Sequence, residues 1–341
     1  MLMHPLSYIY NRLPICSARQ KHLRRILFLL TIAMLACSLA HVSAQTIPVK
    51  VQAKELVILD TDIGDDIDDA FALALALRSP ELKILQVNST FGNTSIRSQI
   101  LERFLTAVGR ADITIATGPV SPIPNGHFSQ SKYGERDHRD VSRYPDAITA
   151  TLKLIQEHPG QITLIGLGPL YNIEAMIDKD PETFRKLKRV VIMGGSINRG
   201  FNDFAYNTLH RPCAEWNIVN DISGAKKLFA SGVSLFVFPL DSTQIKLDEV
   251  KREQLFRVDS PITDQLAILY HMWGGITPTL FDVVPVAYVV DPSICLLTPL
   301  HVEVDDKGFT RVKDGKPNAS VCLDSDSDRF FRFFMPRLLE P

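Results

Sequence analysis

Six of the ten residues from Asp60 to Asp69 are aspartate, and that run limits what the chain can become. Leu56-Val57-Ile58-Leu59 feeds into it and reads as a buried strand. Phe71-Ala72-Leu73-Ala74-Leu75-Ala76-Leu77 follows it and stops before Ser79-Pro80. The alternation there is compatible with a strand, but the alanines, the acidic first turn and the following proline favour a helix. A helix that is apolar on nearly every side is a buried one. The acids therefore stand at the carboxyl end of a strand, where open α/β sheets bind their ligands.

So many like charges beside a core repel one another. A helix dipole offsets only a small part of that repulsion. A hard cation offsets much more, and Ca²⁺ accepts about 6–8 oxygen ligands in irregular geometry. An isolated acidic run is ordinarily a solvated loop with a helix cap or two. Placement between a buried strand and a buried helix argues against that here. An EF-hand is excluded, because counting from Asp60 its sixth and twelfth positions hold Asp65 and Phe71 instead of Gly and Glu. Asp60-x-Asp62 also resembles the nucleophile loop of haloacid-dehalogenase-type phosphatases. Gly64 stands where those enzymes expect Thr or Val, and they have no need of Asp68 and Asp69.

The 341 residues, 45% of them hydrophobic, are enough for a large core. The net charge is −1, from 37 basic and 38 acidic residues, which argues against a nucleic-acid partner. Lys21 to Arg25 is basic, Ile26 to Leu39 is mostly apolar but short for a membrane span, and Val42-Ser43-Ala44 has the small residues of a cleavage site. These predict a secretory signal peptide over residues 1–44 and a mature domain over 45–341, secreted or periplasmic, with no membrane partner after cleavage. Removing the leader leaves Cys213, Cys295 and Cys322, an odd number, so at least one is free or pairs between chains. Their wide spacing is unlike a zinc site. The oligomeric state is open, and a homo-oligomer is compatible with the chain.

Strand-like and helix-like stretches alternate through the mature chain. Strands are expected at Leu82 to Val87, Ile113 to Ala116, Ile162 to Leu167, Val190 to Met193 and Val233 to Phe238. Helices are expected at Ile96 to Val108, Ala147 to Glu157, Leu170 to Met176 and Ala225 to Ala230. This alternation predicts one α/β domain, a largely parallel sheet with helices on both faces, related to the Rossmann fold. Two long loops, Pro119 to Tyr144 and Asn198 to Arg211, interrupt it. Near the end, His301 to Val304 and Thr310 to Val312 read as a strand pair, and Arg329 to Leu338 as a final helix.

The acidic stretch, an Asp-x-Asp-x-Gly followed shortly by Asp-Asp-Ala, resembles the signature of the inosine-uridine-preferring nucleoside hydrolases. It carries two extra residues between the Gly and the Asp pair, and Ile63 where Pro is common. Other segments resemble the same family: Phe91-Gly92-Asn93, Gly166-Leu167-Gly168-Pro169, Met193-Gly194-Gly195 with Glu215-Trp216-Asn217, and Leu280-Phe281-Asp282 leading an apolar run. The resemblance runs from about Glu55 to Leu338.

The resemblance implies a calcium-dependent hydrolase that splits the N-glycosidic bond of a small-molecule ribonucleoside. It implies Asp62, Asp69, the Leu167 carbonyl and Asp282 as Ca²⁺ ligands, with Asp62 also the base that activates water. Asp68, Asn93, Glu215 and Asn217 would hold the ribose; Glu215 and Asn217, two apart, point the same way if the segment is extended. The family's Asn for the 5′-hydroxyl falls in the loop of variable length, at Asn207 or else Asn202, of which Asn207 is preferred.

Two positions depart from the family. Phe281 stands where inosine-uridine enzymes carry a His thought to protonate the leaving base. Purine-specific members have an aromatic there, so Phe281 leans toward purines. Tyr133 falls where the family often has another His. His210 and His271 are the remaining histidines considered as a general acid. Two other functions are weighed against the hydrolase: a Mg²⁺-dependent Asp-nucleophile phosphatase, and a non-catalytic exported riboside-binding protein.

Overall fold

Glu55–Thr61 (β1) is buried on both faces, as a continuous apolar run requires. Val57 and Leu59 enter one apolar cluster, and Ile58 enters the other. In the computed structural model the described residues are 53–121, 129–135, 143–201 and 211–341. The leader expected over 1–44, Asn202, Asn207 and His210 lie outside them.

The remaining strands are Leu82–Ser89 (β2), Thr114–Thr117 (β3), Ile162–Gly166 (β4), Arg189–Met193 (β5), Leu235–Phe238 (β6), Cys295–Val304 (β7), Thr310–Lys313 (β8) and Ala319–Ser325 (β9). They form a sheet of order β3-β2-β1-β4-β5-β6-β9-β7-β8. From β3 across to β9 the pairs are parallel. β7 runs antiparallel to β9, and β8 antiparallel to β7. The largely parallel sheet is as expected. The strand β9 was not anticipated, and through it the terminal strand pair is an extension of the main sheet.

The helices that matter for the site and its support are Asp68–Leu77 (α1), Thr94–Ala107 (α2), Ala147–Glu157 (α3), Tyr171–Lys179 (α4), Trp216–Val219 (α5), Ile222–Ala230 (α6), Pro261–Trp273 (α7), Val283–Val290 (α8) and Ser327–Leu339 (α9). Side chains of α1, α2, α7, α8 and α9 share one core cluster, and those of α3, α4 and α6 share the other. Helices thus cover both faces. α1 is buried from Asp68 to Ala76, which accounts for its lack of a polar stripe. α8 is equally apolar and tolerates Pro285 because that residue lies in the first turn, where an N–H has no helical partner.

After β1 the chain runs outward to β2 and β3, then returns to place β4 on the other side of β1. The strand order reverses there, and the carboxyl ends diverge into a crevice suited to a ligand. Asp60 pairs across this point with Asn88 of β2 and Gly166 of β4. A Cys295–Cys322 disulfide ties β7 to β9, while Cys213 is free.

Candidate active site

The segments leaving β1, β4 and β5 meet the amino end of α8 around a cavity of about 360 Å³. Seven acids line it: Asp62, Asp65, Asp66, Asp68, Asp69, Glu215 and Asp282. Leu167, Met193 and Asn217 also face it, together with four aromatic residues, Phe201, Trp216, Trp273 and Phe281.

Asp68, Asp69 and Asp282 form the tightest acidic group. Each offers a carboxylate oxygen, these oxygens lie within 4.8 Å of one another, and all three residues are buried. The first two open α1, and the third immediately precedes α8. Asp282 makes no side-chain cap to its own helix, so its carboxylate is not committed to that ordinary role. Instead its backbone N–H donates to Asp68 Oδ2 at 3.2 Å. Thr61 donates its hydroxyl to Asp69 Oδ1. Burial holds all three carboxyls well above the usual range, and neighbouring carboxylates raise them further. To be ionised together such a group needs positive charge, and an all-oxygen donor set suits a hard divalent cation.

Asp62 lies in the same cavity but outside that three-carboxylate group. Its carboxyl is pushed up to about 6, first by burial, while the Arg97 guanidinium acts in the opposite direction. Arg97 is fully buried on α2 and acts as a cationic bracket. It donates through Nη1 to the carbonyls of Asp62 and of Ile63, the latter at 2.9 Å, and through Nε to Phe91 O at 2.8 Å. Phe91 carries the unusual φ of 63° that presents this carbonyl. On the other side, a Cβ at position 168 would stand 2.6 Å from Asp62 Oδ1, so only glycine leaves room for the carboxylate.

Asp60 has a structural place. Asn172 Nδ2 donates to its Oδ1 at 2.6 Å and to Ser89 O at 3.1 Å, joining β1, β2 and α4. Burial raises the Asp60 carboxyl to about 7. The turn that carries Asp65 and Asp66 is held by Gln130, whose Nε2 donates to Asp66 O at 2.9 Å and whose backbone N–H donates to Gly64 O at 3.0 Å.

Glu215 and Asn217 face the cavity, although the segment is not extended. Glu215 caps α5 and accepts from the backbone N–H groups of Gly195, Asn217 and Ile218 at 2.9, 3.0 and 3.3 Å. Its burial raises the carboxyl to about 7 against those bonds. Asn217 Nδ2 donates to Leu167 O at 2.9 Å and to Met193 O at 3.1 Å. The Leu167 carbonyl is thereby held by a side chain of α5.

Three residues singled out from the sequence stand away from the cavity lining. Asn93 is exposed, caps α2 by accepting from Ile96 N at 3.2 Å, and does not line the cavity. Tyr133 is buried in the core, with its hydroxyl 2.5 Å from Gln265 Oε1 and the Arg103 guanidinium 4.3 Å from its ring centre. His271 is exposed near the end of α7 and does not line the cavity either.

Sequence reasoning missed Arg97, Gln130, Phe201 and Trp273. Arg97 left a trace, since it shares the helical stripe of Leu101, Phe104 and Leu105, which faces the core. Gln130 and Phe201 lie in the two long loops singled out from the sequence, Pro119 to Tyr144 and Asn198 to Arg211, but nothing marked the individual residues, and Trp273 ends a helix with no pattern that points to a site.

The model of the family described as "Inosine-uridine preferring nucleoside hydrolase" matches residues 57–332. The chain belongs to that family. As a nucleoside hydrolase it is an N-glycosidase of ribonucleosides, and family membership sets aside the phosphatase and the non-catalytic binding protein. The pyrimidine-specific ribonucleoside hydrolase RihA of Shigella boydii serotype 4 (strain Sb227) is 28% identical over 316 residues, covering 83% of this chain and 97% of the relative. RihA of Escherichia coli O1:K1 / APEC is 28% identical over 313 residues, with the same coverage. Among solved structures, the plant nucleoside hydrolase PpNRh1 superposes with a TM-score of 0.73 at 28% identity, covering 84% of this chain and 99% of that one. The purine-preferring ribonucleoside hydrolase from Gardnerella vaginalis, at 23% identity, shares the fold with a TM-score of 0.70 over 83% of this chain and 98% of its own.

Proposed function

We propose that this nucleoside hydrolase is exported, depends on Ca²⁺ and prefers purine nucleosides. The observation that carries the metal reading is the buried group of Asp68, Asp69 and Asp282 beside Asp62 in one cavity. Asp69 and Asp282 would hold the ion with Asp68 next to them, and Asp62 and the Leu167 carbonyl would complete the oxygen set. When bound, the ion neutralises the acids and makes a nearby water easier to deprotonate. Calcium suits the site better than magnesium, since it accepts many carboxylate and carbonyl oxygens without strict octahedral geometry.

Asp62 accepts the proton of the attacking water, as a carboxylate facing the cavity beside the acidic group can. Glu215, Asn217 and Asp68 hold the ribose hydroxyls, and Asn207, which lies outside the described residues, is assigned to the 5′-hydroxyl from the family resemblance alone. As the bond to the base breaks, the ribosyl group becomes oxocarbenium-like, and the carboxylates around it favour that positive charge.

The base preference rests on the aromatic residues of the cavity, Phe281 first. A flat apolar wall gains more from a two-ring base than from a one-ring base. The two RihA relatives carry pyrimidine specificity in their names, so base choice is the point at which this chain is proposed to diverge from them. Export is supported by the leader-like pattern before residue 45 and by the Cys295–Cys322 disulfide, a bond that persists in oxidising compartments.

Purified enzyme assayed for reducing-sugar release on a nucleoside panel, with chelator and with calcium restored, tests this reading. Calcium-restored activity favouring adenosine and inosine over uridine and cytidine is the expected result. Full activity after chelation would remove the metal assignment, and a pyrimidine preference would remove the base assignment.

A further inference from the structure

Phe201 faces the same cavity as Phe281, and their rings stand at 83° with centroids 6.1 Å apart. Two rings at nearly a right angle make a corner. A planar base lying flat on one ring presents its edge to the other, and both arrangements are favourable for aromatic groups.

The chain leading to Phe201 is tied down at almost every residue. Leu240 N–H donates to Gly195 O at 2.9 Å. Thr310 Oγ1 receives the Ser196 N–H at 2.9 Å and returns its own hydroxyl hydrogen to Ser196 O at 2.9 Å. The two oxygens of the buried Asp241 accept from Ile197 N at 2.8 Å and Asn198 N at 2.7 Å. Ser196 Oγ donates to Arg199 O at 2.6 Å, and Gln244 Nε2 donates to Gly200 O at 3.1 Å. A Cβ on Gly200 would lie 2.2 Å from Arg211 O, so the backbone there is as close to its neighbour as glycine permits. A ring launched from such a segment occupies a defined place.

We infer that Phe201 is a base-recognition residue of this enzyme, that it forms with Phe281 the corner that takes the heterocycle, and that Asp241 and Thr310 position it. Thr310 comes from β8, so the terminal strands of the sheet take part in substrate selection. This inference rests on the reading that the base lies against Phe281. It adds a residue on the other wall, and it predicts that the larger heterocycle depends on that wall more.

The test compares wild type, Phe201→Ala, Phe201→Leu, Thr310→Val and Thr310→Ser, each as the full calcium-supplied enzyme with its melting temperature recorded. Steady-state rates on adenosine and uridine are measured, together with binding of free adenine and of free ribose by calorimetry. For Phe201→Ala, KM for adenosine and Kd for adenine should rise by about three- to tenfold, with a smaller change for uridine. Ribose affinity should stay at the wild-type value. Phe201→Leu, which keeps an apolar side chain without a flat ring, should follow Phe201→Ala. Thr310→Val should shift KM for adenosine in the same direction with little change in kcat, and Thr310→Ser, which keeps the hydroxyl, should restore it. If the folded Phe201 variants keep the wild-type adenosine-to-uridine ratio and adenine affinity, the inference is wrong while the hydrolase reading stands. If wild type releases base from neither nucleoside, both are wrong.

Discussion

The backbone N–H of Asp282 donates to the carboxylate of Asp68 across 214 residues of sequence, at 3.2 Å. This bond sets the amino ends of α1 and α8 against each other, and with them the three acids that no ordinary cap or ion pair accounts for.

Removing divalent cations should make stability depend on pH in one direction. Burial raises the folded-state carboxyls of Asp68, Asp69 and Asp282 well above those of an unfolded chain, and raises Asp62 to about 6 and Glu215 to about 7. The native protein then keeps protons that the unfolded chain has released, so its stability is greatest below about pH 4 for these groups and falls as pH rises through 6 and 7. Chelated protein should melt at lower temperature at pH 8 than at pH 5.5. Calcium should raise the melting temperature more at pH 8. A chelated protein equally stable at both values would contradict the acid-cage description.

Asp62→Asn keeps the shape of the side chain and removes its basicity. Turnover should fall by about 10²–10⁴-fold while nucleoside binding persists, as read by single-turnover rates beside calorimetric titration. Equal losses in binding and turnover would assign Asp62 to holding substrate or ion alone.

Gly168→Ala tests how closely Asp62 is placed. The new Cβ would stand 2.6 Å from its Oδ1, which forces the carboxylate or the loop to move. A displacement near 1 Å is enough for about a 100-fold loss of rate. Thermal stability should change much less than kcat/KM, and the comparison of the two is the measurement.

Arg97→Met leaves the carbonyls of Asp62, Ile63 and Phe91 without their buried donor. Urea unfolding should show a loss of about 3 kcal/mol or more. Arg97 also lowers the Asp62 carboxyl, so the acid limb of the kcat/KM profile should move to higher pH in whatever fraction remains folded. An unchanged limb would separate the bracket from the base.

Reduction of Cys295–Cys322 releases a loop closed over a sequence separation of 27 residues. The chain-entropy relation gives about 3.5 kcal/mol for a loop of that length. Denaturation with and without reductant should differ by an amount of that order, and a Cys322→Ser variant should lose its sensitivity to reductant.

The parts legible from sequence were those in which one residue type had a single sensible environment. A strand of Leu56 to Leu59 ending in aspartates, followed by a helix with no polar face, left the acids little choice but a sheet edge. Asp282 before an apolar helix was ambiguous with a cap, and the structure shows no cap bond from its side chain. At Asn93 a capping Asn and a ligand-binding Asn look alike after Gly, and the structure shows the local bond to Ile96. Glu215 was placed in an extended segment although its own carboxylate starts a helix. Arg97 and Gln130 act on backbone carbonyls, and a carbonyl leaves no mark in sequence. β9 was overlooked because Ala319 to Ser325 mixes small, polar and apolar residues, and it earns its place only by lying between β6 and β7.

That place for β9 bears on how the chain is made. A ribosome releases β6 long before residues 319–325, and Asp68 long before Asp282, so neither the full sheet nor the group of three acids can close during most of synthesis. The last steps of folding therefore wait for the carboxyl-terminal strands, which seat the far edge of the sheet on β6.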